Sequence, residues 1–264
     1  MRKVLLIIFA IAPVFLYAQT IDTLVNVGDY NLHFNIIEGN EIVFLFESGA
    51  GDDATVWDEV IQPLSDSTGA TIVTYDRAGF GESSLFQNDI NIREEIIGLE
   101  NCLIKLGYSQ NYILVGHSYG GFCSTLFASR NPNKVIGYID IDANLPCMFN
   151  EEIRIRMYAN RAEFLDSIRV PNPGLYNLGL SFWDDVEIIR NAPISPGIKV
   201  IDVVDERQPY DSLLMIICHK EFVSKSINRN MLIAENSGHY IFRDNPEVVL
   251  STLVSMYRSS KKDE

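Results

Sequence analysis

A short apolar run, Tyr112 to Val115, passes without a break into Gly116-His117-Ser118-Tyr119-Gly120-Gly121, and helix-forming sequence follows from Phe122 to Ser129, stopping before Pro132. Such a stretch turns sharply from a strand into a helix, with Ser118 at the apex in a strained backbone conformation. The positions two before and two after the serine come so close that only small residues fit, and Gly116 and Gly120 supply them. The helix points its partially positive N-terminus at the group Ser118 would attack, which favours a developing oxyanion. Gly-x-Ser-x-Gly alone is weak evidence, because glycine and serine are common. The strand before it and the helix after it set it apart from a glycine-rich turn with a bystander serine.

The rest of the chain supplies a scaffold for that turn. Ile42–Glu47, Thr71–Tyr75, Val135–Ile141, Ile198–Val204 and Met231–Ala234 are further runs of strand length, preceded by Thr23–Val27 and Asn31–Glu38 around a turn at Gly28-Asp29. Helices are expected over Thr55–Leu64, Ile92–Leu106, Ser212–Val223 and Pro246–Arg258, with Gly107 as the cap of the second. Strands alternating with helices imply a mostly parallel sheet covered on both faces. Chemistry in such sheets sits at the carboxyl ends of the strands. Asn144–Pro196 breaks the alternation with a charged amphipathic segment (Glu151–Ile168), a turn at Pro171-Asn172-Pro173-Gly174 and a helical segment near Trp183–Arg190. It reads as a lid, about residues 144–196, inserted between strands.

A serine hydroxyl needs a base to take its proton. Of the four histidines, His33 lies on an early strand and is expected to be exposed, His117 is expected to point to the other side of its strand, and His219 falls within a helix. His239 follows the last strand in Asn236-Ser237-Gly238-His239-Tyr240, which makes it the candidate base. Two aspartates compete to orient the imidazole. Asp205 follows the strand Ile198–Val204, and Asp142 ends the strand before the lid. Asp142 is favoured, because Asp205 stands in a run of charges (Asp202, Asp205, Glu206, Arg207) that reads as solvated.

Four segments together resemble the α/β-hydrolase superfamily, over Val43 to Val249. They are Glu47-Ser48-Gly49-Ala50-Gly51 followed by Trp57, Tyr75-Asp76-Arg77-Ala78-Gly79-Phe80-Gly81-Glu82-Ser83, Gly116-His117-Ser118-Tyr119-Gly120-Gly121, and Ser237-Gly238-His239-Tyr240. The resemblance implies an eight-stranded, mostly parallel sheet with helices on both faces and a helical lid. It implies an oxyanion hole built from the Ala50 and Tyr119 amides, with Ser48 standing where many members carry histidine. Arg77 would tie loops together beside the pocket. The implied reaction is acyl transfer to water on a carboxylic ester or related acyl bond of a small, largely apolar molecule, with no metal or organic cofactor. Lid aromatics Phe149, Phe182 and Trp183 would line the substrate pocket or form the lid's own core. Branches that cleave epoxides or carbon–halogen bonds normally carry aspartate at the elbow, so Ser118 argues against both. Two alternatives stay open: an aminopeptidase that reads its substrate's ammonium group with Glu151, Glu152 or Glu163, and a non-catalytic binding protein that keeps the scaffold.

Arg2 and Lys3, the apolar run Val4–Tyr17 and Ala18 have the layout of a secretory signal, residues 1–18, too short to span a membrane. The hydrolase domain would then occupy residues 19–264 of a periplasmic or secreted protein, with no stable membrane insertion after cleavage. A formal charge of −14 argues against nucleic acid and anionic membranes as partners but says little about the substrate, for which the resemblance implies a small molecule. The cysteines at 102, 123, 147 and 218 never form Cys-x-x-Cys, so metal binding is unsupported. Cys102, Cys123 and Cys218 read as small apolar core residues on helices.

Overall fold

Both faces of most strands in this chain are apolar, which commits them to the middle of a covered sheet. The computed structural model describes residues 19–86, 91–207 and 212–261; the expected leader, residues 1–18, lies outside the described residues. In chain order the elements are β1 (Thr20–Asn26), β2 (Asn31–Ile37), β3 (Asn40–Glu47), α1 (Asp58–Thr68), β4 (Ala70–Asp76), α2 (Ile92–Lys105), β5 (Tyr112–His117), α3 (Gly120–Arg130) and β6 (Val135–Ile141). There follow α4 (Glu151–Ala159), α5 (Arg161–Ile168), α6 (Pro173–Arg190), β7 (Val200–Asp205), α7 (Ser212–Ser224), β8 (Arg229–Ala234), α8 (Ile241–Asp244) and α9 (Pro246–Ser260).

The strands form one eight-stranded sheet in the order β1-β2-β4-β3-β5-β6-β7-β8. The β1–β2 and β2–β4 pairs are antiparallel and every later pair is parallel. From β3 the chain builds outward to β4 on one side and then to β5 through β8 on the other. A crevice therefore opens beyond the carboxyl ends of β3 and β5, the usual ligand position in open α/β sheets. Every residue of β4 and β5 is buried. On one face Leu64 of α1, Phe242 of α8 and Leu253 and Met256 of α9 pack on Phe44, Ile113, Ile139 and Val203. On the other, Leu99 and Leu103 of α2, Phe122 and Phe127 of α3 and Val186 of α6 cover Leu45, Leu114 and Val200. Each fully buried Leu or Phe stabilises the fold by roughly 1.5–3 kcal/mol. The elbow between β5 and α3 rests on that rigid base.

Several expectations need correction. Asp53 accepts from Thr55 N and starts a 3-10 turn, Ala54–Trp57, so α1 begins later than the pattern predicts. Pro171–Gly174 is not simply a turn: Asn172 Oδ1 accepts from Leu175 N at 2.9 Å, and Pro173 opens the 18-residue α6. Proline suits that first position because its missing N–H would be unpaired there anyway. The segment Glu151–Ile168 splits into α4 and α5 at Asn160. His33 is buried rather than exposed, held between Asp22 and Asp76 at 2.9 Å each. Cys218 is no free core thiol, since it forms a disulfide with Cys147. Cys102 and Cys123 are free and buried, as expected.

Candidate active site

Ser118 follows the last residue of β5 with φ +53°, a left-handed conformation that costs a non-glycine residue about 1–3 kcal/mol. The surroundings enforce it. A Cβ on Gly116 would lie 2.8 Å from Ser124 Oγ and 2.9 Å from the Gly120 carbonyl oxygen, and one on Gly120 would lie 2.2 Å from the Glu47 carbonyl oxygen. A Cβ on Gly121 would lie 2.4 Å from Ala143 Cβ. The elbow thus sits flush against the ends of β3 and β6, and only glycine permits the approach. The Ser118 carbonyl accepts from Gly121 N at 3.0 Å and Asn144 N at 2.9 Å, which pins the turn to the chain leaving β6.

Asp142 stands just past β6, also at positive φ (+45°), and its N–H donates to the Val203 carbonyl at 2.7 Å. Its Oδ2 lies 2.5 Å from His239 Nδ1, and its Oδ1 accepts from Asp205 N at 3.4 Å. Asp205 is therefore buried beside Asp142 rather than solvated, and its main chain serves Asp142. Burial alone would raise the Asp142 pKa, but the hydrogen bond from His239 and nearby imidazole charge outweigh it and hold the carboxyl below its ordinary value. Burial would likewise lower the His239 pKa, and the Asp142 contact reverses that and leaves it raised. With Nδ1–H directed at a carboxylate, Nε2 keeps the free lone pair a base needs.

His117 does not turn away from the site. Its Nε2–H donates to the His239 carbonyl at 3.0 Å, and the two rings lie 4.6 Å apart. The fold thereby brings His239 against the residue beside Ser118. Among the described residues no hydrogen bond joins Ser118 Oγ to His239; such bonds are often long in unliganded sites and tighten around substrate.

The Ser48–Gly51 turn lies over the elbow. Arg77, buried at the end of β4, donates through Nη1 to the Ser48 carbonyl and through Nη2 to the Gly49 carbonyl at 2.6 Å. It therefore ties the loops as expected, and its guanidinium lies 5.3 Å from the ring of Tyr119. Ser48 Oγ accepts from Trp57 Nε1 at 3.1 Å and donates to the Asp53 carbonyl at 3.0 Å, so this serine shapes the turn. Among the described residues neither the Ala50 nor the Tyr119 amide donates a hydrogen bond within the protein. Beneath the turn, burial pushes the Glu47 carboxyl up to about 8, while Tyr75 Oη donates to it at 2.7 Å.

Residues 42–173 match the family model of the alpha/beta hydrolase fold, half of the chain. The chain belongs to that family. The Bacillus subtilis (strain 168) protein YqjL is 27% identical over 222 residues, covering 79% of this chain and 80% of the relative. A thermophilic esterase from Thermogutta terrifontis superposes with a TM-score of 0.68 at 18% identity, covering 92% of this chain and 99% of the esterase. A putative ancestral haloalkane dehalogenase superposes with a TM-score of 0.69 at 16% identity, covering 91% and 99%. At such identities the two structures establish shared architecture alone.

In this α/β hydrolase the three aromatics picked from the sequence form one cluster. Phe149 and Phe182 lie 4.9 Å apart, Phe182 and Trp183 lie 5.6 Å apart, and Phe182 lies 6.4 Å from Tyr119. They pack on one another, and Phe149 and Phe182 also meet Phe122, next to the elbow. His219 is placed elsewhere, in a buried pair with Asp202 at 2.8 Å. Among the described residues no group of three or more His, Cys, Asp or Glu side chains is arranged to hold a metal ion, and no helix is long and apolar enough to cross a membrane. The sequence reading missed the roles of His117 and Asp205 N. Neither carries a local signal, because both act through main-chain contacts between distant segments.

Proposed function

We propose that this α/β hydrolase is a serine hydrolase that cleaves a carboxylic ester or related acyl bond of a small, largely apolar substrate through an acyl-enzyme on Ser118. The reading is carried by the convergence at one sheet rim of a left-handed serine and a His239–Asp142 contact of 2.5 Å. His239 Nε2 takes the Ser118 proton as the oxygen attacks the carbonyl, and Asp142 stabilises the imidazolium that forms. The Ala50 and Tyr119 amides receive the oxyanion, each such donor being worth about 3 kcal/mol of barrier. The imidazolium then protonates the leaving alcohol, and water, activated by the same base, releases the acid. The aromatic cluster of Phe149, Phe182 and Trp183 supplies the apolar wall.

Residues 144–196 act as a lid over this rim. In support, α4 has no buried residue, and a Cβ on Gly51 would touch Leu175 of α6 at 3.9 Å. The leader directs export, and the Cys147–Cys218 disulfide supports an oxidising compartment. For the aminopeptidase alternative, Glu151 and Glu152 stand in exposed pairs with Arg154 and Arg156, and Glu163 lies in the first turn of α5.

A fluorophosphonate probe followed by a panel of p-nitrophenyl esters tests the reading. Stoichiometric labelling of Ser118, lost in Ser118→Ala, with ester turnover lost in parallel, is expected. An unlabelled wild type without ester turnover would leave a non-catalytic binding protein as the better account.

A further inference from the structure

His117, the residue before the proposed nucleophile, is only 1% exposed and makes a fixed set of contacts that the reaction does not use. Its Nε2 reaches the His239 carbonyl at 3.0 Å, and a carbonyl only accepts, so the proton is on Nε2. Its Nδ1 has no hydrogen-bond partner and faces the oxyanion turn. Asp52 Oδ2 lies 3.9 Å away, and a Cβ on Gly49 would come within 2.9 Å. The circuit closes through Tyr240, whose hydroxyl is 3.3 Å from both Asp52 carboxylate oxygens and whose ring lies 5.1 Å from that of His117. Trp57 and Phe242 meet the His117 ring edge-on at 6.3 and 5.0 Å.

Resting on the serine-hydrolase reading, we propose that His117 is a positioning residue: its Nε2–H holds the main chain of His239, and its ring braces the oxyanion turn against the same elbow. The nucleophile, the base and the oxyanion loop come from three strand ends, and one imidazole next to Ser118 sets the distance of the other two from it. A titrating group would make a poor brace, because protonation would add a second N–H and a buried charge. The charged groups around it are Asp52 on the turn, Asp142 past β6, Arg243 on α8 and His239 itself, with Tyr240 beside them. Burial first, and the charge of His239 second, push the His117 pKa down to about 3. It therefore stays a neutral donor wherever the enzyme works.

A space-filling role and a donor role make opposite demands on substitution. His117→Phe keeps an aromatic ring and loses the donor, whereas His117→Gln loses the ring and keeps an amide N–H at nearly the same reach. The assay is p-nitrophenyl acetate hydrolysis against pH, with rates normalised to fluorophosphonate-reactive Ser118. His117→Phe is expected to lose about 10- to 100-fold in kcat with KM within about twofold, as misplacement of a base does. Its acid limb in kcat/KM should move to lower pH, because a displaced His239 loses the Asp142 contact that raises its pKa. His117→Gln should stay within about threefold of wild type with the limb in place. His117→Met, adaptable and without a donor, repeats the deletion if the phenylalanine variant does not fold. A labelled, active wild type matched by His117→Phe or His117→Met overturns the clamp alone, as does equal loss in the glutamine variant. A wild type that neither labels nor turns over overturns the serine-hydrolase reading and the clamp with it.

Discussion

Gly120→Ala is the substitution whose effect follows most directly from the geometry. The added methyl would sit 2.2 Å from the Glu47 carbonyl oxygen, 2.6 Å from the Glu47 carbonyl carbon and 2.8 Å from the Ser48 carbonyl oxygen. All three atoms are backbone, and the Ser48 carbonyl is held by Arg77 from below, so no side chain can swing aside. Relief requires the elbow and the oxyanion turn to separate by about 1 Å, and displacements of that size at reacting groups cost about 100-fold in rate. Overpacking of this kind costs about 1–3 kcal/mol in stability, a loss a domain of ordinary stability survives. The assay is kcat/KM on a p-nitrophenyl ester per reactive serine, with Tm on the same samples. Gly107→Ala is the control. That glycine ends α2 at φ +92° with nothing within 4 Å of an added Cβ, so it should lose stability through backbone strain and keep full activity. Wild-type turnover in Gly120→Ala would refute the claim that elbow and turn are held in contact for catalysis.

The acid assignment predicts that Asp142→Asn loses about 10⁴-fold in kcat while Asp205→Asn loses far less, because the Asp205 amide that holds Asp142 is kept and its carboxylate adds only a smaller charge effect on His239; the reverse ranking would transfer the role to Asp205. Because the Asp142 contact raises the His239 pKa, ester hydrolysis should fall as pH drops through a midpoint above about 6.5, read from kcat/KM against pH. The same pair contributes to stability from about pH 4 to 6.5, fading below as the depressed Asp142 protonates and above as the raised His239 loses its proton. Tm measured against pH should lose that feature in Asp142→Asn. Reducing the Cys147–Cys218 bridge, which closes a loop of 71 residues, should cost about 4 kcal/mol and lower Tm by about 8–16 °C, and an unchanged Tm with dithiothreitol would deny the bridge. Arg77→Lys keeps the charge but cannot hold the Ser48 and Gly49 carbonyls together, so kcat should drop with KM little changed; equal activity would remove Arg77 from the support of the turn.

The parts of the fold readable from sequence are those whose constraints are local. β3, β4 and β5 are buried on both faces and read as continuous apolar runs, and the elbow is a contiguous pattern whose glycines the packing demands. The start of α6 was readable too, since Asn172 before Pro173 is a cap followed by proline at the first helical position. Asp142 is favoured over Asp205 from the sequence and is the one that His239 meets, but not for the reason of solvation, since Asp205 is buried at the neighbouring strand end. Cys147 and Cys218 carry no spacing signature, and His33 owes its burial to two partners on other strands. Each of these depends on contacts between segments that only the folded topology brings together.

The proposed site places its reacting side chains on loops and their restraints on the sheet beneath. Arg77 past β4 sets the turn that carries Ala50, His117 on β5 sets the main chain of His239, and the Val203 carbonyl and Asp205 amide of β7 set Asp142. Loops are otherwise the most mobile parts of a domain. Here each is tethered by a buried polar group to a strand whose own position is fixed by packing on both faces. The tethers of Ala50, His239 and Asp142 all lie outside residues 144–196, whereas the elbow is also held from within that segment, the Ser118 carbonyl by Asn144 N and the Tyr119 hydroxyl by Asp185. Selectivity for the acyl or alcohol group would reside in that insertion, and the rate of proton transfer in the row of strand ends below it.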